Sequence, residues 1–567
     1  MTQQPSVSGG GGQVDLGNYQ GAFIQALKDL EKNRAAERVW AREPGFWKDD
    51  PGHQKEIRER LGWLTVMETM RSHVADLESF ALDVKAAGIQ HVVLCGMGGS
   101  SLCPEVLRLT FGNASGYPKL HVLDSTDPST VAGIGEVAEP EHCLYLIASK
   151  SGGTIEVDSL YRYFYDKAKG KLGEHAGRQF AAITDPGTAL ERLGQERGFR
   201  KIFLNPSDIG GRYSALSLFG LVPAALLGIE VTRILDRAQE MAGYCSAATP
   251  SKANPGVWLG AAMGVMVEAG RDKLTILASP AIDSFGLWVE QLIGESTGKE
   301  GKGIVPVAGE PIGIPESYGN DRLFIYLRLE GENNETLDRL IDQLRAADHP
   351  VVTLSLRDRY DLWAEFFRWE FATAVAGAMM KVDPFDQPNV QESKDNTSRV
   401  LAQYQQTGSL PTQTPDLVEG DLKLYGAEGS SLKESISSFV EMAAPGDYFA
   451  LLAYLPATSQ VDALLSSIRD KLRARTGLAT TLGYGPRFLH STGQLHKGGP
   501  NSGVFLQLTA DEEVAVPVPG KPYDFGTLKM AQATGDWQAL RQHGRRALWV
   551  HLGMDIAAGL QKILAAL

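Results

Sequence analysis

The chain has 567 residues, and at roughly 100–200 residues per domain that length implies two to four domains. Hydrophobic residues make up 43% and charged residues 22%, a soluble globular balance that excludes a largely disordered or fibrous protein. Aspartate plus glutamate (68) outnumber lysine plus arginine (55), and the net charge of −13 disfavours non-specific binding to nucleic acid or to anionic membranes.

The opening MTQQPSVSGGGG has neither a basic stretch nor an apolar core, so it does not read as a signal peptide, and residues 1–13 are expected to be a disordered lead-in. Residues 14–87 read as a helical segment, because QGAFIQALKDLEKN and LGWLTVMETMRSHVADLESFALDVKAAG place apolar residues three and four apart. From residue 88 the period changes. The short apolar runs HVVLCG, LHVLD, CLYLIAS, QFAAIT and KIFLN alternate with helical stretches, which predicts βαβ units on a parallel sheet over 88–240. A second α/β unit is expected over 241–400, with strands in KLTILAS, RLFIYLRL and PVVTLSL. Polar residues 401–432, containing Gly, Pro and Thr, read as a linker. DYFALLAYL, GVFLQLT and ALWVHLG then predict a third α/β domain over 433–567. The longest apolar runs are too short to span a bilayer. The four cysteines (Cys95, Cys103, Cys143, Cys245) show no CxxC or zinc spacing, so a reducing, cytoplasmic location is expected.

Two turns carry anion-binding chemistry. The first predicted strand runs into Cys95-Gly96-Met97-Gly98-Gly99-Ser100-Ser101, where a backbone without side chains can approach a ligand closely. With Asp124 at the end of the next strand this could begin a dinucleotide fold, but Ser101 stands where the third glycine of GxGxxG belongs. The third strand ends in Ser149-Lys150-Ser151-Gly152-Gly153-Thr154 before a helix, and hydroxyls, free N–H groups and a positive helix end suit a phosphate dianion. No P-loop, HExxH, EF-hand loop or GxSxG elbow is present in the sequence.

Five segments in order, GMGGSSLCP (96–104), SKSGGTIE (149–156), IGGRYSALSLFG (209–220), VEQLIGESTGKEGKG (289–303) and DPFDQPNVQESK (383–394), resemble the phosphoglucose isomerase family. In detail, and through LHSTGQLHKGGP in the C-terminal region, the chain is similar to the isomerase half of transaldolase–phosphoglucose isomerase fusions. The resemblance implies an α/β fold with two parallel-sheet sugar-isomerase (SIS) domains in αβα sandwiches, flanked here by the helical segment and the extra C-terminal domain. It implies interconversion of glucose 6-phosphate and fructose 6-phosphate through a cis-enediol in glycolysis and gluconeogenesis, with a small sugar phosphate as partner and no cofactor or metal. It further implies that Ser149, Ser151, Thr154 and the Lys150 backbone hold the phosphate and that Gly99 and Ser100 line the sugar. Arg212 then stands beside the reacting carbons, Glu295 is the base, and Gln387 and Lys394 close the site. The chemistry asks for these types independently: one carboxylate can carry a proton between C1 and C2, and a guanidinium can stabilise the charge that develops on the sugar oxygens.

The ring-opening histidine departs from the family pattern. Between the base and the DPFDQ segment only His349 occurs, in a turn before a strand, and it reads as structural. His490, in His490-Ser-Thr-Gly-Gln494-Leu495-His496, is the expected ring opener and His496 the second choice. In the usual family dimer the histidine comes from the neighbouring subunit. A C-terminal histidine could instead act within its own chain, which leaves monomer and homodimer both open. Two further readings stand beside the isomerase: a dual phosphoglucose/phosphomannose isomerase, and a non-catalytic SIS regulator that binds a sugar phosphate.

Overall fold

The apolar runs become strands that are buried on both faces wherever helices cover the sheet on both sides. The computed structural model describes residues 11–411 and 413–567. Strand β1 (Gly12–Asp15) comes first, followed by β2 (His91–Gly96), β3 (Lys119–Leu123), β4 (Cys143–Ala148), β5 (Phe180–Thr184) and β6 (Lys201–Leu204). Strands β2 to β6 form a five-stranded parallel sheet in the order β3-β2-β4-β5-β6. The second sheet uses β7 (Lys273–Ala278), β8 (Val305–Val307), β9 (Arg322–Leu329) and β10 (Val351–Leu356), with β1 antiparallel at its edge beside β10. The third contains β11 (Leu417–Glu419), β12 (Leu422–Tyr425), β13 (Tyr448–Tyr454), β14 (Ala479–Tyr484), β15 (Gly503–Thr509) and β16 (Arg546–His551), in the order β11-β12-β16-β15-β13-β14. Parallel sheets with helices between successive strands match the α/β class read from the alternating pattern.

Three boundaries differ from the sequence reading. Of the lead-in expected over 1–13, residues 1–10 lie outside the described residues, whereas Gly12 and Gln13 pair with Leu354 and Thr353. The segment expected to be mainly helical over 14–87 therefore donates the end of an edge strand to the second sheet before its helices begin. The linker expected over 401–432 is largely ordered: the helix Pro388–Thr407 runs into it, and β11 and β12 join the C-terminal sheet through β16. Polar composition concealed these short strands because each is only three or four residues long and has one face in solvent.

The C-terminal domain is welded to both other units. One face of its sheet makes its own core, while the other packs Tyr448, Leu452 and Phe505 in a cluster with Val305 and Val307 of β8. Phe525, Leu528 and Ala531 of the helix Phe525–Gln542 cover the first sheet beside Val93, Leu123 and Tyr145. A buried polar joint fixes the orientation. Glu310 takes two bonds from Arg322 and further bonds from the Thr480 amide and hydroxyl, and Arg469 donates to the Ala308 and Gly309 carbonyls. Burial raises the Glu310 carboxyl, but Arg322, Arg469 and the Thr480 amide outweigh it and hold the group below the usual carboxylate range. Buried ionic groups satisfied in this way constrain geometry more than they add stability.

Candidate active site

Strands β2 and β4 are neighbours, so the turns that follow them open side by side at the carboxyl edge of the first sheet, where ligands of parallel sheets bind. The first turn, Gly98–Ser100, depends on its glycines. A Cβ on Gly99 would lie 1.9 Å from the Gly211 carbonyl oxygen, and one on Gly98, whose φ is +55°, would lie 2.7 Å from the His490 carbonyl oxygen. Missing side chains thus let three distant segments touch. In the second turn, the Ser149 and Thr154 hydroxyls are 3.0 Å apart, Ser151 is exposed, and the 18-residue helix Ile155–Leu172 begins without a side-chain cap on Thr154. Hydroxyls grouped at an uncapped helix start suit an anion. The Lys150 ammonium turns away to Asp185 and to the Ser207 carbonyl at 3.1 Å, so only its backbone belongs to the turn.

Arg212 and Glu295 meet under this edge. Glu295, on the helix Phe285–Thr297, is 7% exposed, with Oε2 3.5 Å from Arg212 Nη1. The guanidinium is fixed on every side: Nε donates to Ser296 Oγ (2.7 Å), Nη1 to Gln387 Oε1 (2.9 Å), and Nη2 to the Pro384 (2.7 Å) and Asp386 (2.8 Å) carbonyls. Gln387 therefore reaches the centre through Arg212. Lys299 pins the same loop, donating to the Asp383 and Asp386 carbonyls at 2.6 Å each. Burial, together with Arg212, pushes the Lys299 ammonium down to about 8 despite Asp386 beside it.

The C-terminal domain supplies the remaining wall. His490 Nε2 donates to Glu156 Oε1 at 2.8 Å, and the same oxygen accepts from Gln532 Nε2 at 2.7 Å. Thr126 Oγ1 donates to Gln532 Oε1 at 2.8 Å, which fixes the amide orientation. Burial raises Glu156, but His490 and Lys394 overcome it and hold this carboxyl below its ordinary value. Gln291 Nε2 ties the two halves together, donating to Glu295 Oε2 at 3.2 Å and to the His490 carbonyl at 2.8 Å. The sequence reading had not singled out Glu156, Gln291 or Gln532. Glu156 closes the quoted SKSGGTIE segment, and Gln291 stands four residues before Glu295, one turn away on the same helix face.

Other predicted residues lie elsewhere. Lys394 is exposed on the helix Pro388–Thr407 and acts on Glu156 only as a nearby charge. His496, the second choice for ring opening, is buried with its ring 5.1 Å from Phe505 and 5.9 Å from Phe488, on the far side of its short helix. Burial drives its imidazole well below its usual range, so it stays neutral among aromatic rings. His349 packs against Phe324 and lies 3.3 Å from the Pro315 carbonyl. Asp124, the residue of the dinucleotide alternative, accepts two 2.8 Å bonds from Arg487 and is unavailable to a ribose.

The N-terminal helices have a defined place beneath the centre. Trp63 lies over Tyr213 at 5.3 Å, Tyr213 over Phe385 at 5.2 Å, and Trp47 meets Phe385 edge-on at 5.1 Å. This aromatic floor supports the residue next to Arg212 and the loop whose carbonyls hold it. On the other side of the Glu295 helix, a cavity of about 640 Å³ separates the first unit from the C-terminal domain, with Glu290, Arg108 and Arg487 in its wall. Burial pushes the Glu290 carboxyl up to about 8, only partly opposed by Arg469 and Arg487.

Comparison with known proteins finds similarity to one family. The phosphoglucose isomerase family model matches residues 62–306, which include both turns, Arg212 and Glu295 and end before Gln387, Lys394 and His490. The curated glucose-6-phosphate isomerase of Carboxydothermus hydrogenoformans is 26% identical over 449 residues, covering 69% of this chain and 90% of the relative. That of Rubrobacter xylanophilus is 29% identical over 388 residues, covering 60% and 88%. Among solved structures, a hypothetical protein of Thermus thermophilus aligns at a TM-score of 0.59 and 24% identity, over 69% of this chain and 100% of its own. A glucose-6-phosphate isomerase of Chlamydia trachomatis aligns at 0.51 and 17%, over 66% and 78%, and both structures share the fold. Residues 62–306 are thus similar to the phosphoglucose isomerase family, and the chain is similar to curated glucose-6-phosphate isomerases over most of their length.

Proposed function

We propose that the protein interconverts glucose 6-phosphate and fructose 6-phosphate, with the whole site carried by one chain. The observation that carries this reading is the Glu295 carboxylate held 3.5 Å from a fully anchored Arg212 and linked through Gln291 to the His490 segment. The phosphate sits in the turn of Ser149, Ser151 and Thr154, and its binding energy positions the sugar, which Gly99 and Ser100 allow to lie close to the backbone. His490, oriented by Glu156, moves a proton between the ring oxygen and the C1 hydroxyl and opens the ring. Glu295 then takes the proton from C2 of the aldose and returns it to C1 through the cis-enediol. Arg212 stabilises the negative charge on the sugar oxygens during this transfer. Its four anchors keep that charge preorganised. Gln387 acts through its bond from Arg212 Nη1, and the Lys394 ammonium adds positive charge near Glu156. The cis contact between His490 and Glu156 supports a monomer as the active species.

The test is conversion of fructose 6-phosphate followed in a coupled NADPH assay for the wild type and Glu295→Gln. Removing a general base of this kind costs roughly 10²–10⁴-fold in kcat, while sugar-phosphate binding persists. Unchanged turnover would remove Glu295 from the role, and a wild type that binds without turnover would overturn the isomerase. Sedimentation velocity at assay concentration separates a monomer from a dimer.

A further inference from the structure

The loop that anchors Arg212 carries a second cluster of ligating atoms on its outer side. His53, on the helix Pro51–Arg58, places Nδ1 3.4 Å from Asp383 Oδ2 and 3.5 Å from Asp386 Oδ2. The three atoms lie within 4.8 Å of one another. Asp383 is 0% exposed; its Oδ1 accepts the Phe385 amide at 2.9 Å, but Oδ2, aimed at His53, has no hydrogen-bond partner. Asp386 spends Oδ1 on Lys299 at 2.5 Å and leaves Oδ2 facing the cluster. A buried carboxylate oxygen without a donor is costly, which calls for a positive group at that spot.

The donor set and its spacing indicate which group. One imidazole nitrogen and one oxygen from each of two carboxylates suit a borderline divalent ion. With metal–ligand bonds of about 2.0–2.2 Å, neighbouring ligands on a tetrahedron stand roughly 3.3–3.6 Å apart, and the two His53 separations fall in that interval. The charge also fits: two carboxylates against the single Lys299 ammonium leave one negative charge uncompensated when His53 is neutral. The fourth position opens to solvent beside His53, whose side chain is 36% exposed.

We propose that His53, Asp383 and Asp386 bind one divalent transition-metal ion, for which Zn2+ is the natural probe, and that the ion clamps the N-terminal helices to the Arg212 loop. The ion is structural. It joins the helix Pro51–Arg58 to the segment whose Pro384 and Asp386 carbonyls hold Arg212 Nη2, and it takes no part in proton transfer.

The experiment is titration calorimetry of ZnCl2 into the full chain after chelator dialysis, for the wild type, His53→Ala and His121→Ala. His121 serves as the control because its Nε2 lies 3.0 Å from His91 Nδ1, a second place where Zn2+ could lodge. The proposal expects one saturable site per chain, weakened at least about tenfold in His53→Ala and unchanged in His121→Ala. Zn2+ should raise the Tm of the wild type but not of His53→Ala, whose circular dichroism and metal-free turnover should match the wild type. No saturable binding, binding unchanged in His53→Ala, or binding lost only in His121→Ala would each overturn the site. The readout is binding and thermal stability, so the result stands apart from the identity of the sugar substrate.

Discussion

The turn proposed for the phosphate and the Glu295 centre are built in opposite ways. The turn is one stretch, Ser149 to Thr154, set between a strand and a helix, and its ligating groups are neighbours in the chain. The centre draws Arg212, Glu295, Pro384 to Gln387, His490 and Glu156 from five segments, and it exists only because all three sheets are docked. A local motif fails gradually when one of its groups is removed. An assembled centre fails steeply, because each member also holds its neighbours in register.

That contrast can be broken at several points. His490→Ala should cost the most, roughly 10²–10⁴-fold in kcat on ring-closed substrate in the coupled assay. His496→Ala, changed in the same helix region but facing aromatic rings, should leave kcat within a fewfold and lower Tm instead. Gly99→Ala would force the turn off the Gly211 carbonyl. A shift of that size beside Arg212 should cost on the order of 10²-fold in kcat/KM, with the fold retained by circular dichroism. Trp63→Ala removes a fully buried ring from the aromatic floor. It should cost about 3–5 kcal/mol, read as a lower urea midpoint, and should reduce kcat through the loosened Tyr213. Thr154→Val touches only the local turn and should raise KM roughly tenfold with little change in kcat, the mark of one lost charge-assisted bond.

The smallest effect belongs to Glu290, on the face of the helix Phe285–Thr297 turned away from Glu295. Its carboxyl is pushed up to about 8 in the folded chain from an ordinary value of 4.5. Between those values the folded state holds a proton that the unfolded chain has released, so its contribution to stability is complete below pH 4.5 and is lost as pH rises towards 8. Glu290→Gln should therefore flatten the decline in Tm between pH 5 and pH 8. An unchanged slope would show that the carboxylate is already ionised and paired in the cavity.

Much of the architecture was legible because its signals are local. Alternating apolar runs and helical periods mark β2 to β7, β9 and β10, and glycines with hydroxyls mark both turns. The short strands β1, β11 and β12 escaped because three or four residues with one wet face have no distinctive period. Lys394 shows the same limit from the other side: its seven-residue offset from Gln387 is readable, but that the helix Pro388–Thr407 leaves it exposed, with its charge near Glu156, is not.

The sequence by itself determined the α/β class and the placing of the Gly- and hydroxyl-rich turns at strand ends, since each depends on neighbours within a few positions. Tertiary structure alone decided that His490 rather than His496 faces Glu156, that Gln532 and Gln291 brace the acid–base groups, and that His53 meets Asp383 and Asp386. Apart from Gln291 and Glu295, one helix turn apart, those contacts join residues hundreds of positions apart. Their geometry is set by how the C-terminal sheet packs on β8 and how the N-terminal helices pack beneath Tyr213, and no local spacing encodes either arrangement.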